Sequence, residues 1–233
     1  MWKCIRCEKE NQDSAEKCAS CGHERTMDYI QYRTLSKVSE TTSVNWKRTA
    51  SIPEGIEKPV LMADEDSTTV FGSKILRKNI REIEFVKVKK EKVPSGAWDV
   101  SEDKKKTIQA WTESTDKGLI LKIGSENGVY ANPNCESLFS GYSNVKKIEF
   151  NHLFDTSKAI CMACMFSECG ELEDIDVSRF NTGNVTDMAG MFAFDNKLKK
   201  LDMSQFDTGK VTDMAGMFAD CFVLESLQID GFD

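Results

Sequence analysis

The sequence predicts an α/β solenoid with a β-rich cap at its N-terminal side and a small separate module before the cap. Three observations lead there. The stretches SRFNTGNVTDMAGMFAFDNKLKKLDM (178–203) and SQFDTGKVTDMAGMFADCFVLESLQI (204–229) agree at 15 of 26 columns. HLFDTSKAICMACMFSECGELEDIDV (152–177) fits the same template with eight identities to the next copy. Self-similarity at this period means stacked units, none of which buries its apolar side alone. The third observation is a change of pattern upstream, where short alternating segments replace the repeat.

Taken in order, residues 1–25 form the small module. Cys4-x-x-Cys7 and Cys18-x-x-Cys21 are separated by ten residues. Two such knuckles place four thiolates around one Zn²⁺, with Zn–S near 2.3 Å. A segment this short has too little core to fold alone, so the metal would supply the folding free energy. Two disulfides or a redox pair is the rival reading. His23 follows the last cysteine but would be a fifth ligand, so it reads as a solvated neighbour.

Residues 26–70 read as a linker, rich in Ser, Thr and charge, with no sustained period. Asp64, Glu65 and Asp66 read there as a solvated acidic loop. Trp46 is either an anchor or a partner contact. Residues 71–137 read as the β-rich cap. IEFVKV (83–88), TIQAWTE (107–113) and GLILKIG (118–124) are its strands, with Leu119, Leu121 and Ile123 on one face. Lys104, Lys105 and Lys106 form a run that would steer an acidic partner or simply make a charged turn.

Residues 138–233 hold about three and a half repeats. LxxLxL, as in LEDIDV, LKKLDM and LESLQI, alternates like a short strand. VTDMAGMF presents Met, Met and Phe at helical spacing behind Thr186 or Thr212 as N-cap. Each turn is therefore strand, loop, short helix and return. Gly190 and Gly216 sit inside the expected helix and imply close approach of the next turn. Gly183 and Gly209 are available for positive φ. The Met files are core packing rather than soft-metal ligands. Cys161-x-x-Cys164 reads as a local substitution within that segment, with a redox pair as the rival.

The motif FDTGKVTDMAGMFADCFVLESL resembles the BspA-type leucine-rich repeat, found in bacterial surface proteins. The resemblance covers residues 98 to 233 and implies a leucine-rich-repeat-like solenoid with a role in binding or adhesion. Trp2, Cys4, Cys7, Asn11, Cys18 and Cys21 resemble a Ran-binding-protein-type zinc finger, and equally the short zinc ribbons that open many bacterial proteins; members of the first group bind single-stranded RNA or ubiquitin. Neither recognition surface carries over. Gln12 to Lys17 lacks the aromatic and paired arginines of the RNA binders, and Glu8-Lys9 replaces the Thr-Phe of the ubiquitin binders.

The formal net charge is −7. The acidic excess lies in 124–233 and a basic excess in 71–123, which argues against a nucleic-acid footprint on the repeats. MWKCIRCEKE has no apolar signal region, and the longest apolar run, near ICMACMF, is far too short to span a membrane. A cytoplasmic location is therefore expected. With two histidines, no phosphate loop and no paired carboxylates of defined geometry, no enzyme is expected. The expected function is a non-enzymatic interaction module binding a protein or glycan partner, with the zinc ribbon as a second docking or assembly element. The alternative is a nucleic-acid-associated regulator acting through the ribbon. Glu149, Asp176, Asp202 and Gln228, the middle residues of successive strands, are the candidate partner-binding strip. The last strand, 224–229, is expected to be an edge covered by a second copy, by a partner or by further repeats.

Overall fold

The computed structural model describes residues 2–3, 10–11, 58–64 and 68–232. The chain divides into two compact units, Met1–Val44 and Asn45–Asp233. In the first, β1 (Trp2–Lys3) pairs antiparallel with β2 (Glu10–Asn11). Cys4, Cys7, Cys18 and Cys21 lie outside the described residues, as do His23 and Trp46.

The second unit begins with a five-stranded mixed sheet. Its strands are β3 (Ile80–Lys87), β4 (Trp98–Asp99), β5 (Gln109–Thr115), β6 (Gly118–Ser125) and, after the two-residue β7 (Val129–Tyr130), β8 (Lys147–Glu149). The order is β4-β5-β6-β3-β8. β5 and β6 form an antiparallel hairpin, whereas β3 runs parallel to both β6 and β8. A register shift between Ile80 and Glu82 puts an extra residue in β3, so Ile80 and Ile83 both reach the core despite their odd spacing. Because β8 comes from the first repeat segment, the cap sheet runs directly into the repeats.

The packed part of this unit starts well before residue 71. Val60 bridges Tyr130, Leu61 bridges Ser101, and Leu61, Val70 and Phe71 are buried. Asp64 is no solvated acid. It is 5% exposed and pairs at 2.8 Å with Arg77, which is 0% exposed. The Arg77 guanidinium also donates to the carbonyls of Thr69 (2.9 Å), Ser137 (2.8 Å), Ser140 (2.5 Å) and Asp64 (3.0 Å), and lies 4.9 Å from the Tyr142 ring centre. One side chain thus joins the 64–77 loop to the start of the repeats. Such a charge is tolerated in a core because its donors are satisfied.

The repeats are not the strand-and-helix turns of an α/β leucine-rich-repeat solenoid. Among the described residues there is no α-helix; the helical pieces are two 3-10 turns, Arg77–Asn79 and Lys90–Lys92. The remaining strands are short: β9 (Phe154–Asp155), parallel to β7, and β10 (Lys200–Asp202), parallel to β11 (Ser226–Gln228). Backbone conformation overturns the expected helix. Gly190 and Gly216 have φ of 62° and 63°, and Cys164 in their column has 53°. Four residues on, Glu168, Phe194 and Asp220 have φ of 65°, 67° and 58°. A right-handed helix cannot run through two left-handed residues in one turn and a half. The glycines answer a backbone need, not the closeness of a packed helix. Gly183 and Gly209 are not among the positive-φ glycines.

What replaces the helix is a turn ribbon with alternating bonds. Met188, Gly190, Phe192 and Phe194 donate their N–H to the carbonyls of Asp213, Ala215, Met217 and Ala219 in the next repeat, at 2.8–3.0 Å. Met191 and Ala193 instead donate back within the repeat, to Met188 and Gly190. Met162, Cys164, Phe166 and Glu168 bond the 187–193 segment in the same way. Asp187 and Asp213 start these ribbons by accepting the N–H of Ala189 (3.0 Å) and Ala215 (2.8 Å), an Asx-turn that offers the backbone an alternative to helix.

Buried threonines tie the opposite side. The Thr156 hydroxyl donates to Asn181 O and accepts Asn181 N–H, and Thr182 does the same with Asp207, at 2.7–3.0 Å. Between these ladders lie aromatic files. Phe139, Phe166, Phe192 and Phe218 stack at 5.7, 5.4 and 6.1 Å, and Phe154, Phe180 and Phe206 follow at 5.9 and 6.4 Å. Met162, Met165, Met188, Met191 and Met217 are buried beside them.

Candidate partner-binding surface

The four strip residues fall on one row of the second unit but in unequal settings. Glu149 in β8 is in register with Glu84 of β3, which is in register with Lys122 of β6. Lys122 pairs with Glu84, and Glu149 pairs with Lys147 at 2.5 Å. The charge at this end of the row is therefore compensated.

Asp176 and Asp202 differ. Each carboxylate accepts from the serine two residues on: Asp176 from Ser178 N–H (3.0 Å) and Oγ–H (2.6 Å), and Asp202 from Ser204 likewise (3.0 and 2.6 Å). These bonds stabilise the charged form and hold both carboxyls below their usual range, so both are ionised at neutral pH. Gln228, opposite Asp202 in the β10–β11 register, donates its amide to that carboxylate at 3.1 Å when the amide is turned to face it.

Asp176 does not lie in a strand, which opens the row. Lys199 N–H donates to Glu173 O at 3.1 Å, but 174–176 makes no backbone hydrogen bond to 147–149 or to 200–202. Two grooves result. One, of about 360 Å³, is lined by Glu149 and Asp176, by the buried Phe150 and Ile175, and by His152 and Arg179. The other, of about 300 Å³, is bordered by Asp174, Asp176, Lys200, Asp202 and Gln228. The structure thus brings Glu149 to Asp176 across one groove and Asp176 to Asp202 and Gln228 across the next.

Sequence reasoning missed His152 and Arg179. They stand in the columns of Ser178 and Ser204, and of Gln205, and departure from the repeat was the available signal. Ion pairs Glu171–Lys197 (2.8 Å) and Glu173–Lys199 (2.7 Å) also link neighbouring repeats beside the grooves.

At the far end, β11 pairs with β10, and among the described residues no strand pairs its other side. Phe222, Val223 and Ile229 are exposed there. All five described cysteines are thiols. No group of three or more His, Cys, Asp or Glu among the described residues is placed to hold a metal ion. No helix among them is long and apolar enough to cross a membrane.

Residues 133–232 match the model of a family described as Mycoplasma protein of unknown function, DUF285. The matched stretch is the repeat region, beginning at the Asn134–Cys161 bridge that opens the turn-ribbon ladder. No curated protein and no solved structure matches the chain.

Proposed function

We propose that the repeat region is a non-enzymatic protein-binding module whose contact surface is the grooved row from Glu149 through Asp176 and Asp202 to Gln228. The observation that carries this reading is the unpaired 174–176 segment, which lies between two grooves and carries the ionised Asp176, with the ionised Asp202 bordering the second groove. Its backbone groups would pair with an extended partner segment, and Asp176 and Asp202 would receive that segment's basic side chains. The family matched by 133–232 is associated with BspA-like repeat proteins, which agrees with a binding role.

The test must respect the structural duty of both aspartates. Lysine at 176 or 202 would remove the acceptor of the Ser178 or Ser204 N–H, whereas asparagine keeps it. Lys/Arg-rich extended peptides should bind the wild-type chain, and Asp176→Asn with Asp202→Asn should weaken that binding roughly five- to thirtyfold and flatten its salt dependence. Unchanged affinity in the double variant removes the strip from the function.

The zinc ribbon is proposed as a second docking or assembly element, with Zn²⁺ held by Cys4, Cys7, Cys18 and Cys21. The separation of Met1–Val44 from Asn45–Asp233 supports it as a separate folding unit. Metal analysis should find one zinc per chain, lost in Cys4→Ser with Cys7→Ser, while the cooperative melt of the second unit persists. Loss of that melt with the metal would show that the two units fold together.

A further inference from the structure

A third cavity, sharing no residue with the strip, lies where the 103–107 loop meets the ends of β3 and β6. It measures about 500 Å³, within the range of small-molecule sites. Its apolar wall is made by Val60, Val88 and Val93, and Lys58, Lys90, Lys105 and Lys106 line the rest.

The cations and acids here are not balanced. Lys58 pairs with Asp155 at 2.7 Å. The ammonium groups of Lys90, Lys105 and Lys106 form no ion pair among the described residues, and all three side chains are exposed. The two acids lining the cavity are already engaged by the protein. Asp103 accepts Lys105 N–H (3.1 Å) and the Thr107 hydroxyl (3.2 Å), and Glu126 accepts Lys90 N–H (3.3 Å). Asp99, at the base of the loop, accepts Lys106 N–H at 3.1 Å. These bonds hold the carboxylates in place without neutralising them, so the lining carries four lysines against two acids, an excess of two positive charges. In a chain of net charge −7, such a concentration is a local reversal of sign.

We propose that this cavity binds a small ligand carrying a phosphate or sulfate ester on a compact body. Lysines are mobile point charges that take a tetrahedral anion without demanding one orientation. Three of them favour a group with more than one negative charge over a carboxylate, and the valine wall takes the body of the ligand. A bare ion would leave most of the volume unfilled.

Calorimetry on the full chain at low salt tests this with two probes: ADP for a phosphorylated metabolite and a sulfated heparin disaccharide for a glycan. At least one should bind saturably, and Lys90→Gln/Lys105→Gln/Lys106→Gln should weaken it roughly tenfold. Lys74→Gln/Lys78→Gln/Lys117→Gln removes the same charge from exposed positions outside the cavity and should leave binding within about twofold of wild type. Binding of ADP alone assigns a phosphorylated ligand, of the disaccharide alone a sulfated one, and of both the shared anion. No saturable binding of either up to about 10 mM, or equal weakening by the two triple variants, overturns the proposal.

Discussion

Arg77→Met should cost the second unit about 3–5 kcal/mol, because it strands the Asp64 carboxylate in a site only 5% exposed. The same change removes the donors of four carbonyls, those of Ser140 and Asp64 buried and those of Thr69 and Ser137 part-buried. For a unit of this size the loss appears as a fall in Tm of roughly 6–20 °C. Asp64→Asn should cost less. It leaves the fully buried Arg77 cation without its counter-ion, but the guanidinium keeps its four carbonyl acceptors and the amide oxygen still accepts the Phe71 N–H, which Asp64 accepts at 2.6 Å. Combining the two should cost less than their sum, since the uncompensated charge of the first variant is absent from the double variant. Urea melts of the four proteins check this. Additive losses would show that the pair is not coupled across the core.

The period, the buried faces and the strand segments of the cap were legible because repetition and alternation are local. Phe154, Phe180 and Phe206 announce their file by spacing alone. The helix was misread for a physical reason. Met188, Met191 and Phe192 would lie on one face in a helix, and they are also all buried in the turn ribbon. Spacing therefore could not separate the two backbones. The deciding facts are the Asx-turn at Asp187 and the left-handed conformation at Phe194, a residue type that gives no warning of positive φ. The linker reading of residues 58–70 failed because their partners, Ser101, Tyr130 and Asp155, are distant in the chain. The strip was half legible: its row follows from the repeat, but the gap beside 174–176 and the Lys147–Glu149 pair do not. The lysine cavity draws on positions 58, 90 and 105–106, which only the fold brings together.

Asp195 yields the second large effect, and its sign is opposite to that of most carboxylates here. It shares a column with Cys169 and Cys221 and is 0% exposed. Its Oδ1 accepts the Cys169 N–H at 2.8 Å, while Oδ2 has no hydrogen-bond partner among the described residues. Burial pushes its carboxyl well above the ordinary range, and the nearby Glu168 adds to the rise. A raised carboxyl pKa gives its full stabilisation only below the unfolded value, near 3.9, and loses it as pH climbs toward the folded value. Each unit across that window costs about 1.4 kcal/mol. Asp99, Asp155, Asp176 and Asp202 have lowered values and act the other way, withdrawing stability only as pH falls through the acid range. Asp195→Asn keeps the acceptor for Cys169 and cannot ionise. It should therefore be more stable than wild type by about 1–3 kcal/mol at pH 7. The advantage should shrink steadily toward pH 4. Thermal melts of the two proteins across that range read the difference directly, with the other carboxylates common to both. An asparagine variant less stable at pH 7, or a difference that does not change with pH, would mean that the Asp195 carboxyl does not titrate with a raised pKa in the folded chain.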